Sequence, residues 1–159
     1  MYSFILTLHS IVRWAVLILA VVATVRALFG WLAKKEWTPL DDRLGLLFTA
    51  SFDLQVLLGI LLYIFLSPFT RAVFQDFGAA MSDAVSRFWS LEHVVLTIIA
   101  LALAHAGRAT AKAAEGATKK HRRAAIFFGL ATLAILIAIP WPMLDYGRPL
   151  IRLGGFVWP

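Results

Sequence analysis

Four stretches of this chain are apolar over roughly the 20 residues that a helix needs to cross a bilayer. They lie at about residues 2–32, 44–66, 87–111 and 124–139. No other feature constrains the fold as strongly. Backbone N–H and C=O groups in hydrocarbon must be paired within the protein, so long apolar runs become helices. Composition agrees: 61% of the 159 residues are hydrophobic and 15% are charged, against about 45–50% and about 25% in soluble domains. The expected fold is all-α, a single polytopic membrane domain (1–159) of four transmembrane helices in an up-down bundle. The start, MYSFILTLHSIVRW, has no basic n-region and no cleavage site, so it reads as a retained helix.

The connections are short. KKEWTPLDDR follows the first span, with Pro39 as breaker and Asp41 or Asp42 as helix cap, Thr38 being the weaker candidate. Ser67-Pro68 ends the second span. Residues 69–86 alternate Phe74, Phe77 and Met81 with Arg71, Asp76 and Asp83, which predicts an amphipathic helix on the membrane surface. A basic loop, AKAAEGATKKHRR, precedes the fourth span. Pro140-Trp141-Pro142 ends that span and opens an interfacial tail, 140–159.

Basic residues set the orientation. Arg26, Lys34, Lys35, Arg43, Arg108, Lys112, Lys119, Lys120, Arg122 and Arg123 flank the two interhelical loops on one side, and Arg13, Arg71, Arg87, Arg148 and Arg152 lie on the other. Lys and Arg accumulate on the cytoplasmic side. Both termini are therefore expected outside, on the periplasmic side of a bacterial inner membrane. The net charge of +6 is then a topology signal and a contact with anionic lipid, not a nucleic-acid footprint. The chain has no cysteine, which excludes thiolate metal sites, iron–sulfur ligation and thioether-bound haem.

Ionisable residues inside a span are expensive and usually functional. The third span carries Glu92, His93 and His105. His9 lies seven residues in from the start of the first span and His93 six from the start of the third, roughly 10 Å deep on each helix. Two imidazoles at one level on different helices are what a bis-histidine b-type haem requires. Arg13, one turn from His9, and Arg87, Arg148 and Arg152 are candidate propionate partners. The alternative is that both histidines only bond neighbouring helices. His105 is roughly 18 Å farther along the third helix than His93, too far to share that haem. His121 falls in the basic loop.

Asp53 is the deepest carboxylate. Its chemical reading is a proton relay or a quinone-site group; the favoured reading is an ion pair with Arg13, with Glu92 as competing partner. Gln55 and Gly59, one turn apart, read as helix packing, as do Thr97, Ala100 and Ala104. The six tryptophans mostly fall at expected interfaces, forming an aromatic belt. No nucleophile–base pair, phosphate-binding glycine loop or HExxH spacing occurs.

His9-Ser10-x-x-Arg13-Trp14, then FDLQVLLGILLY (52–63) with Ser67-Pro68, then RFWSLEHVVL with AHAGRA, then IPWP with a later GRP, run in that order along nearly the whole chain. In this the chain resembles the small four-helix bacterial membrane proteins labelled cytochrome b-like. The resemblance implies a b-haem or quinone-linked membrane role, with His9 and His93 as the matching histidines. Some relatives carry histidine where this chain has Asp53, a departure that removes a ligand from the second helix. The expected function is a membrane electron-transfer component holding haem b and linked to quinol oxidation, working with other membrane subunits and not as an enzyme by itself. The alternative is a cofactor-free accessory subunit of a larger respiratory or photosynthetic complex. A small transporter using Asp53 is the third reading.

Overall fold

The computed structural model describes residues 1–153 and 156–158, with side chains described as far as residue 151. Its body is four long helices. Helix α1 spans Tyr2–Leu32. Helix α2 spans Pro39–Ile60 and runs on as a π-helical stretch, Leu61–Leu66. Three short helices follow: α3 (Pro68–Gln75), α4 (Phe77–Ser82) and α5 (Ala84–Arg87). A second π-helical stretch, Phe88–Glu92, leads into α6 (His93–Lys112), and α7 covers Ala117–Ala138. In the tail, β1 (Ile151–Leu153) and β2 (Phe156–Trp158) pair antiparallel, with Ile151 opposite Trp158.

Four helical segments, Tyr2–Leu32, Pro39–Leu66, Ala84–Lys112 and Ala117–Ala138, are long and apolar enough to cross a membrane. Their outer faces are correspondingly greasy: Ile18, Val25, Leu57, Ile98, Leu133 and Ile137 are all exposed. A soluble monomer rarely shows such a continuous apolar surface. Length, composition and surface together make these four helices suited to crossing a membrane.

Helix α1 packs on α2 and α7, and α6 packs on α7 and, less extensively, on α2. Small residues make the close approach possible. Val16, Ala20, Ala23, Ala27 and Gly30 form the buried stripe of α1, and Ala100, Ala104, Gly107 and Ala111 that of α6. Phe48, Phe52 and Phe128 fill the centre; Phe48 meets Phe128 edge-on at 5.5 Å between ring centroids. Thr24 and Thr132 share a hydrogen bond of 3.0 Å between α1 and α7.

Several boundaries differ from the sequence expectation, each for a local reason. Helix α2 begins at Pro39, because Thr38 is its N-cap and Asp41 reaches back. The Thr38 N–H and hydroxyl both donate to Asp41 Oδ2, at 2.7 and 2.6 Å. Asp41 also accepts from Arg26 Nε of α1 at 2.8 Å, although its side chain is only 3% exposed. The N-cap is thus Thr38, the weaker of the expected candidates, with Asp41 completing a capping box from the third helical position; Asp42 is not the cap. Asp41→Ala should therefore lower stability by about 2 kcal/mol, since a helix cap and a charge-assisted bond disappear together. Thermal unfolding in detergent reads this; an unchanged midpoint would mean that the cap and the pair are energetically idle.

Helix α7 starts at Ala117, so the basic stretch TKKHRR is helical and not a loop. Gly116 turns the chain at φ +82°, a conformation that glycine adopts without cost. His121 is then buried completely, against Trp37 at 4.8 Å between ring centroids and beneath Gly30. Residues 69–86 do not form one surface helix. Asp76 accepts from the Ala79 N–H and Asp83 from the Ser86 N–H, so each aspartate caps a new short helix. The Ser86 contacts hold the Asp83 carboxyl below the usual range for aspartate.

Candidate functional site

The end of the bundle that holds residues 1–10, the short helices and Leu150 forms a half-open cavity of about 390 Å³, within the range of small-ligand and cofactor sites. Helix α1 contributes Leu6, His9, Ser10, Arg13 and Val16. Helix α2 contributes Phe52, Gln55, Val56 and Gly59, with Tyr63 beyond it, and α6 contributes His93, Thr97 and Ile98. Trp89, Arg148 and Pro149 complete the wall.

Two histidines face this space under different restraints. The Nδ1–H of His93 donates to the Ala138 carbonyl at 2.8 Å, which leaves Nε2 as the lone-pair nitrogen. The acceptor is the last residue of α7, so the end of one helix orients a ring on another. Phe88 and Trp89 pack beside that ring. His9 meets Gln55: the amide N–H of Gln55 donates to His9 Nε2 at 3.1 Å, which places the His9 proton on Nδ1. The His9 ring lies close against Gly59; a Cβ there would stand 3.3 Å from His9 Cε1, a tight contact.

The cavity is rich in buried polar atoms without partners: His9 Nδ1, Arg13 Nε, Gln55 Oε1 and Trp89 Nε1. Buried polar groups are nearly always satisfied, and each exception calls for an explanation. Here four converge on the wall of one space. Such a wall suits an occupant that offers both acceptors and donors, while the lone pair of His93 Nε2 suits a metal or a hydrogen-bond donor.

The π-helical stretches flank this cavity. π-turns recur at functional sites, where an extra residue per turn re-aims the side chains. The Tyr63 hydroxyl donates to the Ser90 carbonyl at 2.6 Å and so ties one stretch to the other. The Thr70 hydroxyl donates to the Tyr63 carbonyl at 2.7 Å, fixing α3 over the same region. The tail docks here as well. Arg13 and Trp14 both donate to the Leu150 carbonyl. Tyr146 stacks on Phe88 at 3.7 Å, and the Arg148 guanidinium lies 4.8 Å from the Trp89 ring centre. The tail, expected at the interface, packs up to Leu150 against the end of the bundle. The Arg152 side chain lies outside the described residues.

Several residues singled out from sequence stand elsewhere. Arg13 does not pair with Asp53 or with Glu92; its guanidinium is used by Leu150 and the cavity. Asp53 accepts from His105 Nε2 at 2.8 Å, and the two side chains are 51% and 47% exposed. Neither is buried, because both project from the outer face of the α2–α6 groove. Glu92 pairs with Arg87 at 2.8 Å, about half exposed. Arg87 also donates to the Met81 carbonyl and is not among the cavity residues. Gln55, read as a packing residue, is the hydrogen-bond partner of His9. Ala100 and Ala104 do pack, as expected, whereas Thr97 lines the cavity. Trp89, one of the six tryptophans expected mostly at interfaces, stands in the cavity wall beside His93.

Comparison with protein-family models, with curated proteins and with solved structures found no match.

Proposed function

We propose that the chain is a membrane electron-transfer component and that His93 and His9 would hold one b-type haem in this cavity. The observation that carries the proposal is the state of His93. Its Nδ1–H is bonded to a backbone carbonyl, the outer-shell contact that fixes tautomer and ring orientation in metal-ligating histidines, and its Nε2 is left free. His9 stands on a different helix in the same cavity and would leave Gln55 to ligate. Arg13 and Arg148 line the wall as cations for the propionates, and Trp89 offers an unused N–H. Phe52, Val56, Ile98 and Ile135 supply the apolar contact. Haem, when bound, takes up and releases single electrons. The protein's part is to orient the ligands, exclude water and balance charge. Quinol as electron source belongs to the same proposal.

The orientation follows from the basic residues. The bundle end that holds both interhelical loops carries ten of the fifteen Lys and Arg residues, which supports a cytoplasmic position for it in a bacterial inner membrane and a periplasmic one for the cavity.

The test is a reduced-minus-oxidised visible spectrum of the detergent-purified protein, normalised by haem extraction. The expected result is a sharp b-type band at about one haem per chain. A flat spectrum from a folded, helical protein after haem-supplemented expression would overturn the proposal. It would favour the second reading, a cofactor-free accessory subunit, for which the structural use of Arg13 and Trp14 in docking the tail already speaks.

A further inference from the structure

The cavity is open along one side of the bundle as well as at its end. Among its lining residues Tyr2, Ile60, Phe69, Ile98 and Arg148 are exposed. Tyr2, Phe69 and Arg148 belong to the terminus, a short helix and the tail. Ile60 and Ile98 belong to α2 and α6, and each borders both the cavity and the outer surface. No lining residue of α7 is exposed, and none of α1 except Tyr2. The open side is therefore the seam between α2 and α6. Two side-chain hydrogen bonds cross that seam among the described residues and bound the opening. Asp53 and His105 close it toward the loop end at 2.8 Å; Tyr63 and Ser90, in the two π-helical stretches, close it toward the cavity end at 2.6 Å. Ile60 lies seven residues from Asp53 and Ile98 seven from His105, so each stands two turns from the first closure on the same face. From Asp53 to Tyr63 the slot runs roughly 15 Å along α2.

Where the slot faces decides what can use it. Ile98 is the middle residue of the segment Ala84–Lys112, and Ile60 lies roughly 9 Å inside the end of Pro39–Leu66. With these helices in a bilayer the slot opens into hydrocarbon, not water. Its lips are apolar: Val56 and Ile60 on one helix, Val94 and Ile98 on the other. The hydroxyls of Tyr63 and Thr97 also line the cavity. Both spend their protons on backbone carbonyls, Tyr63 on Ser90 and Thr97 on His93 or Val94 at 2.9 Å. Each oxygen keeps a lone pair. Gln55 Oε1, buried and without a partner, adds a third acceptor. Behind its apolar lips the cavity thus offers acceptors and calls for a donor.

We infer that the cavity takes up a bilayer-dissolved amphiphile through the α2–α6 slot, a molecule with an apolar chain and a hydroxyl-bearing ring. The ring donates to the oxygens behind the lips, and the chain passes between Ile60 and Ile98 into the acyl region. For the proposed electron-transfer role this names the class and the route of the small-molecule partner. It rests on that reading in setting the chain across a bilayer, and not in the haem. The opening beside Tyr2, Phe69 and Arg148 is the competing route, and it would serve a molecule dissolved in water.

The test uses para-decylphenol carrying a photoreactive diazirine on the chain beside the ring, added to the purified protein in lipid nanodiscs. The expected result is labelling within residues 56–63 and 94–98 that excess unlabelled para-decylphenol suppresses about tenfold. Its methyl ether has the chain but no donor, and should compete about tenfold less well, the scale of one hydrogen bond. Ile98→Trp fills the slot from one lip and should cut the suppressible labelling about tenfold. Ile98→Ala, and Leu133→Trp on the exposed face of α7, should keep it. Labelling confined to the terminus, the short helices and the tail would overturn the slot. So would phenol without a chain competing equally at equal membrane concentration, an ether as good as the phenol, or an Ile98→Trp variant that labels like the wild type. The haem spectrum of the same preparations keeps the two readings apart. A b-type band without suppressible labelling sinks the slot alone, and suppressible labelling without the band sinks the haem alone.

Discussion

His93→Ala should abolish the b-type absorbance, leaving less than a tenth of the wild-type band per chain, while the helical content stays near wild type. The side chain enters the described structure through one hydrogen bond, from Nδ1 to the Ala138 carbonyl, plus ring contacts with Phe88 and Trp89. Losing that bond costs stability by about 1 kcal/mol, far too little to unfold four packed helices. A histidine that would hold the haem iron, by contrast, has no substitute at its position. His9→Ala should act in the same direction, since the proposed ligand pair is broken from the other side. His105→Ala supplies the control: its ring bonds Asp53 outside the cavity, so the band should persist. A band of unchanged size in both His93→Ala and His9→Ala would sink the haem assignment; loss of the band in His105→Ala as well would point to general misfolding. Absorbance and circular dichroism on the same preparations decide between these results.

Gly30→Ala should destabilise the loop end of the bundle by about 2–3 kcal/mol, the scale of overpacking in a tight core. A Cβ at position 30 would stand 2.3–2.6 Å from three ring atoms of His121. That ring cannot step back: it is fully buried, Trp37 lies against it, and its Nε2–H donates to the Glu36 carbonyl at 3.3 Å. Either α1 moves away from α7 or the ring is expelled with its buried polar atoms. The unfolding midpoint in detergent should fall by about 5–10 °C on that scale. Combining Gly30→Ala with His121→Ala should cost much less than the sum of the two single changes, because the second removes what the first collides with. Additive costs would show that the glycine is there for some reason other than this ring. The haem band should stay, as the contact lies at the opposite end from the cavity.

Both experiments probe contacts that differ in how readable they were from the chain. The matching depth of His9 and His93 follows from residue counts along two helices, and both do line one cavity. The partner of each was beyond such counting. Gln55 was indistinguishable from a packing amide, since helical spacing says which face a residue is on but not which helix it meets. The same limit applies to Arg13 and Asp53, which the structure does not pair. Both residues lie well inside their spans, yet Asp53 points out of the groove toward His105 while Arg13 points toward the tail. The tail is the sharper case. Nothing local marks Leu150 as the acceptor for two side chains more than 130 residues earlier.

What the amino-acid sequence determined by itself is the class of object: four helices, their approximate limits, and the asymmetry of basic charge. Those properties follow from hydrocarbon length and backbone satisfaction, which act residue by residue along one segment. What only the tertiary structure decided is rotation: which face of each helix turns inward, and hence that His93 is set by the end of α7 and that His105 is left outside with Asp53. Helix rotation in a membrane is governed by close packing of small and large side chains between neighbours. That packing is a property of helix pairs, with Ala, Gly and Phe meeting partners from distant parts of the chain, and it has no signature within any one span.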